Sequence, residues 1–249
     1  MEELISVRNL RVSYGRGTQR LCAVDDVTFS IRAGECVGFI GANGAGKSTT
    51  IKAIMGFIYP DTGDITLCGH PAGTPEGRRE LGYLPEVAMY YPFMRAGELL
   101  TLYGSLGGMT KPQLRERIPQ VLEEVGLAGR ERDLLRTFSK GMQQRLGIAQ
   151  AIITRPKLLV LDEVSSGLDP LGRHDLRELL TRLREQGCTI FFSSHELSEV
   201  ESLCNRILLI DRGKLVREVT QEDLRAIGRE RSLESFFISA VREGAATNG

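Results

Sequence analysis

The chain has 249 residues, 41% of them hydrophobic, with 32 basic and 32 acidic side chains. That length can bury one large α/β core, or one core with an insertion. The cancelled charge leaves no global basic excess to hold nucleic acid by counterion release, and the apolar runs, such as Leu158 to Leu161 and Ile207 to Ile210, fall far short of the ~18–20 residues that span a bilayer.

The N-terminus, MEELISVRNL, carries acidic residues where a secretion signal carries positive ones, so no signal peptide is expected. Cys22, Cys36, Cys68, Cys188 and Cys204 are odd in number and lie mostly in apolar runs. They read as small buried hydrophobes in a reducing compartment, and the expectation is a soluble chain. Residues 4–14 and 20–32 are rich in β-branched residues in partial alternation, which predicts antiparallel strands ahead of the first parallel one.

Ala33-Gly34 turns into a short apolar run, Cys36 to Ile40, which ends in Gly41 to Thr50, GANGAGKSTT. A helix-like segment, Ile51 to Met55, follows. A buried strand opening through such a loop into a helix is a place to hold phosphate. Gly41, Gly44 and Gly46 lack the Cβ that would block positive φ and close backbone approach, so successive N–H groups can curl round an anion at a helix N-terminus. In the spacing Gly-x-x-x-x-Gly-Lys-Ser, Lys47 reaches the β- and γ-phosphates and the Ser48 hydroxyl ligates Mg²⁺. Gly41, Asn43, Gly44, Ala45, Gly46, Lys47, Ser48 and Thr49 are the candidate nucleotide-binding residues. The loop predicts nucleoside triphosphate binding; alone it does not separate transporters, kinases, GTPases and motors.

Further on, Tyr59 to Asp64 has dense turn chemistry, Ile65 to Gly69 reads as a strand, and Leu81 to Glu86 as a strand running into a Pro-ended loop. From about Met89 to Leu135 apolar residues fall at three- and four-residue spacing, predicting an inserted helical subdomain of about 89–155. Phe138-Ser139-Lys140-Gly141 introduces a helix from about Met142 to Thr154. Lys157 to Glu163 has the form of a central strand whose C-terminal end opens into a site. Then come a helix over Leu176–Arg184, a strand over Cys188–Ser193, a helix over Glu196–Leu203 and a hairpin about Arg212-Gly213. The tail reads as two helical pieces opening at Thr220 and Ser232, with a frayed AATNG end.

Three residues complete a reaction site with the loop. Asp162 is placed to hold Mg²⁺, directly or through water; Glu163 to orient or deprotonate the attacking water; His195 to donate to the γ-phosphate. The plainer alternatives are a solvated Asp-Glu pair at a strand end and a His at a helix start.

With these residues the chain resembles the nucleotide-binding subunit of an ATP-binding cassette (ABC) transporter over residues 1–217, leaving 218–249 as a short helical tail. Tyr14 resembles the aromatic that stacks on adenine, and Glu86 stands where the family usually has the Gln of its Q-loop. Phe138 to Leu146, FSKGMQQRL, resembles the LSGGQ signature; Ser166-Gly167-Leu168-Asp169 resembles the D-loop, and Ser194-His195 the switch histidine. The resemblance implies an α/β P-loop NTPase core with mainly parallel sheet, an N-terminal antiparallel β-subdomain and an inserted helical subdomain. It implies an Mg²⁺-dependent ATPase whose signature segment, Ser139, Lys140, Gly141 and Met142, closes on the ATP held by a partner cassette. Catalysis would fall to Glu163, His195 and Lys47, with Ser48, Asp162 and Glu86 toward the metal and Asp169 in the D-loop.

Implied partners are a second ATPase subunit and integral membrane permease subunits, with no nucleic acid, at the cytoplasmic face of the membrane. Lys140 replaces the first signature Gly, Met142 the Gln, and Val164 the Pro that commonly follows the catalytic Glu. Glu86 with the SKGM form resembles the branch that exports drugs, lipids or polysaccharides. The competing class is a non-transport ABC ATPase acting on ribosome or DNA, whose tandem cassettes or long coiled coil this sequence lacks.

Overall fold

Alternating apolar residues fold the start of the chain into two long strands, β1 (Glu3–Tyr14) and β2 (Leu21–Arg32). Leu10 and Val12 of β1, and Val24, Val27, Phe29 and Ile31 of β2, are buried. The computed structural model describes residues 2–15, 17–165, 168–220, 222–224 and 233–247. It divides into two units, Met1–Arg78 with Thr189–Gly249, and Arg79–Cys188. In the first, β3 (Cys36–Ile40) leads through the glycine-rich loop to α1 (Lys47–Ile54). β4 (Thr62–Leu67), β5 (His70–Pro71) and the single turn α2 (Pro75–Arg78) follow. Strands pair antiparallel in the order β2-β1-β4-β5, the β-subdomain that the alternation predicts.

The second unit is mainly helical. β6 (Leu81–Leu84) pairs in parallel with β7 (Leu158–Asp162), whose five residues are all buried. Between them lie α3 (Ala96–Leu106), α4 (Lys111–Glu124) and α5 (Lys140–Ile152). α4 has a capping box, in which the Thr110 N–H donates to Gln113 Oε1 over 2.8 Å, and it buries Leu114, Ile118, Val121 and Leu122. Arg117, also buried, donates to the Ile152 and Ile153 carbonyls at the end of α5 and pairs with Glu124, so its charge and the helix-end carbonyls satisfy each other.

Three predicted boundaries move. Residues 89–95 are not helical: Pro92 interrupts them, and Met89, Tyr91 and Phe93 are exposed. α5 begins two residues early, at Lys140, with Ser139 as its cap. α6 (Pro170–Glu185) begins six residues before Leu176, because the Asp169 side chain accepts the Gly172 N–H (2.7 Å) and Pro170 occupies the first turn.

The chain returns to the first unit through β8 (Thr189–Ser194), α7 (Leu197–Leu203), β9 (Arg206–Asp211), β10 (Lys214–Thr220) and α8 (Leu233–Thr247). β3 is flanked in parallel by β8 and β9, and β10 closes on β9 as a hairpin. α8 runs to Thr247, so most of the tail expected to fray is helical; Ser232 lies outside the described residues. The five cysteines form no disulfide: Cys36, Cys188 and Cys204 are buried, Cys68 is half-buried and Cys22 is exposed. Among the described residues no helix is long and apolar enough to cross a membrane.

Phe29, Phe39 and Phe191 join the β-subdomain to the parallel strands, with ring centroids 5.5–5.8 Å apart. Phe39 and Phe191 are wholly buried. Phe191→Ala is expected to cost about 3–5 kcal/mol of stability, read as a lower urea midpoint; a loss below about 1 kcal/mol would show that the site collapses without these contacts.

Candidate nucleotide site

The phosphate loop keeps its shape by close backbone packing. Gly46 caps α1 at φ 108°, and a Cβ there would lie 2.6 Å from the Ala23 carbonyl oxygen. A Cβ on Gly41 would lie 2.3 Å from the Ile210 carbonyl oxygen, at the end of β9. The β9–β10 turn braces the loop: the Gly213 N–H donates to the Ala45 carbonyl (2.9 Å), and the Gly213 carbonyl accepts the Asp25 N–H (2.8 Å). Lys47, 5% exposed, donates from Nζ to the Gly41 (2.7 Å) and Ala42 (3.2 Å) carbonyls. The ammonium thus sits inside the loop, where P-loop lysines meet phosphate oxygens.

Asn43 and Gly44 are exposed at the tip, and Ser48 and Thr49 are half-buried in the first turn of α1. The Tyr14 hydroxyl donates to Thr49 Oγ1 over 3.3 Å, which fixes the ring beside the loop at 43% exposure. His195, just past β8, lines a cavity of about 340 Å³ together with Gly41 and Ala42. The structure therefore brings the phosphate loop, Tyr14 and His195 into one unit.

The second unit carries the acidic residues. Asp162 and Glu163, at the end of β7, are 2% and 6% exposed. Glu163 has φ 49°, a left-handed conformation that costs a non-glycine residue about 1–3 kcal/mol and persists where the surroundings enforce it. Burial, with the Asp162 charge added, pushes the Tyr83 phenol on neighbouring β6 up to about 12. Glu86 is exposed, next to exposed Val87.

The signature segment forms the start of α5, where Ser139 Oγ accepts the Met142 N–H over 3.3 Å. Ser139 and Lys140 are exposed while Gly141 and Met142 are half-buried, so Lys140 faces solvent. Of the D-loop, Asp169 caps α6, and Ser166 and Gly167 lie outside the described residues. One residue that no spacing argument singles out, Gln144, donates from Nε2 to the Val164 carbonyl over 2.6 Å. Among the described residues no three His, Cys, Asp or Glu side chains gather to hold a metal.

A family model described as ABC transporter matches residues 24–166. The chain belongs to the ABC transporter family. The linearmycin resistance ATP-binding protein LnrL of Bacillus subtilis is 38% identical over 223 residues, 89% of this chain and 70% of that protein. A Nod factor export ATP-binding protein I of Cupriavidus metallidurans is 35% identical over 226 residues, 90% and 73% of the two chains. Among solved structures, an ATP binding subunit of an ABC transporter superposes with a TM-score of 0.84 at 34% identity, covering 96% of this chain and 99% of that one. A dimeric, post-hydrolysis ATP-binding cassette, MJ0796 bound to ADP and Pi, shares the fold at a TM-score of 0.79 and 23% identity, covering 87% of this chain and 98% of that one. The architecture is that of the ABC ATPase, and the protein is an ABC-family ATP-binding chain.

Gly46→Ala adds a Cβ both where the backbone is left-handed and where Ala23 leaves no room. Isothermal titration calorimetry is expected to show ATP affinity reduced at least about tenfold, a loss of about 1.4 kcal/mol or more. An unchanged Kd would contradict this account of the loop.

Proposed function

We propose that this chain is the Mg²⁺-dependent, ATP-hydrolysing subunit of a transporter. Two cassettes close around two ATP molecules, and their closing and opening drive separate membrane-spanning subunits, in the direction of export. The observation that carries the reading is that one chain holds a phosphate loop wrapped around its own lysine and a second, open helix start, Ser139 to Gly141, able to take an anion from outside. A monomer would then own half of each ATP site.

In this reading residues 1–217 are the cassette, 89–155 its helical insertion and 218–249 its tail. Tyr14 stacks on the base, and the loop amides with Lys47 hold the phosphates. Ser48 and Asp162 offer hard oxygen donors suited to Mg²⁺, with the Glu86 carboxylate a further oxygen donor. Bound Mg²⁺ would neutralise charge on the β- and γ-phosphates and orient them for in-line attack. Glu163 takes the proton of the attacking water, and His195 donates a hydrogen bond to the γ-phosphate. Asp169 stands at the start of α6 to meet the partner chain.

Export and membrane coupling rest on resemblance and on surface character. LnrL is described by resistance and the Nod factor protein by export. Just beyond Glu86, Val87, Met89, Tyr91 and Phe93 expose apolar side chains in a non-helical loop, a surface suited to a membrane subunit and costly to leave in water. The protein would work at the cytoplasmic face of the membrane.

Glu163→Gln is expected to bind ATP with wild-type affinity while turning over at least about a hundredfold more slowly, the scale of a lost general base. Gel filtration with ATP and Mg²⁺ should then show a stable dimer. Wild-type hydrolysis by that variant would remove Glu163 from the base role. Lys47→Ala, in the same assay, should lose most nucleotide affinity.

A further inference from the structure

Gln144 ties the helix that carries the signature segment to the backbone that carries Glu163. Its hydrogen bond to the Val164 carbonyl, 2.6 Å long, must come from the amide nitrogen, since a carbonyl only accepts. Val164 is 2% exposed, and the residue before it is the left-handed Glu163. This bond therefore clamps the peptide one residue beyond the strained position.

Gln144 lies in the second turn of α5, one turn in from Lys140 and Gly141. A helix is stiff over such a distance, so what fixes the start of α5 also fixes Gln144. A second link joins α5 to α6: Arg145 pairs with Asp175 at 2.7 Å. At the start of α6, Arg173 Nε donates to the Leu168 carbonyl over 3.2 Å, holding the D-loop end to the same helix. The start of α5, the backbone at 163–164 and the start of α6 are thus connected through named hydrogen bonds and one ion pair.

We propose that Gln144 is a positioning residue that relays occupancy of the signature segment to Glu163 of the same chain. The inference rests on the shared-site reading above, in which the signature segment meets the nucleotide on the partner's phosphate loop. The partner's ATP then fixes α5, and Gln144 sets the backbone that aims Glu163 at water in its own site. Each site becomes competent only when the other is filled.

The test compares wild type, Gln144→Leu, which keeps the bulk and loses the donor, and Gln144→Lys, which restores a donor. Steady-state ATP hydrolysis and ATP-driven dimerisation are measured on the purified full chain. The Leu variant is expected to lose kcat at least tenfold with KM within twofold of wild type, and its Hill coefficient for ATP should fall toward 1. The Lys variant should recover several-fold in kcat. A variant whose only defect is packing would not show the kcat-against-KM split or the rescue. If Gln144→Leu does not fold, Gln144→Glu, of the same shape without the donor, carries the same expectation. A donor-less variant that dimerises on ATP and turns over cooperatively at wild-type rate overturns the relay and leaves the proposed function standing. A wild-type chain that never dimerises on ATP overturns both.

Discussion

The close approach of the phosphate loop to the backbone around it is the constraint on which the rest of this protein's chemistry depends. Gly46 has the Ala23 carbonyl where a side chain would go, Gly41 has that of Ile210, and the Gly213 turn donates to Ala45. The strands bearing these groups come from opposite ends of the sequence, so the loop exists only once β2, β3 and the β9–β10 hairpin have come together. The Phe29, Phe39 and Phe191 cluster is the apolar contact that packs β2 against β3 and β8, and β9 joins by pairing with β3. What a nucleotide meets is therefore set before it binds, and the cost of ordering the loop is met in folding.

The two helix starts able to take an anion are built differently. At α1 the loop folds over its lysine, whose Nζ is enclosed by two carbonyls of the same chain. At α5 the serine hydroxyl caps its own helix, and Ser139 and Lys140 are exposed. The first can hold a phosphate chain by itself; the second offers a few N–H groups and a positive helix end to something already held elsewhere. That asymmetry is the physical reason for expecting two chains to share each ATP, and it leaves exposed Lys140 at the open site.

Much of this was legible in the sequence because its signals are local. Glycines at fixed spacing between a strand and a helix define the phosphate loop, and the unbroken apolar runs of β3, β7 and β9 could only be buried strands. Boundaries were missed where a local signal competed with a stronger pattern. The polar residues Arg173, His174 and Asp175 hid the apolar period of α6, although Asp169-Pro170 announced its start. The apolar residues near position 90 resembled a helix face, but Pro92 and their exposure place them in a loop. Two features had no local signal: the left-handed backbone of Glu163, set by surroundings rather than residue type, and the bond from Gln144 across twenty positions to Val164. Both lie at Glu163, the carboxylate proposed as the general base.

The central claim, that this cassette powers separate membrane-spanning subunits, is tested most directly by asking what it holds in the cell. The chain, tagged at its C-terminus, is purified from native membranes in mild detergent, and stoichiometric companions are identified by mass spectrometry. The account predicts a polytopic membrane protein in fixed ratio to two ATPase chains. Recovery with ribosomes or DNA, or wholly in the soluble fraction without a membrane companion, would contradict it.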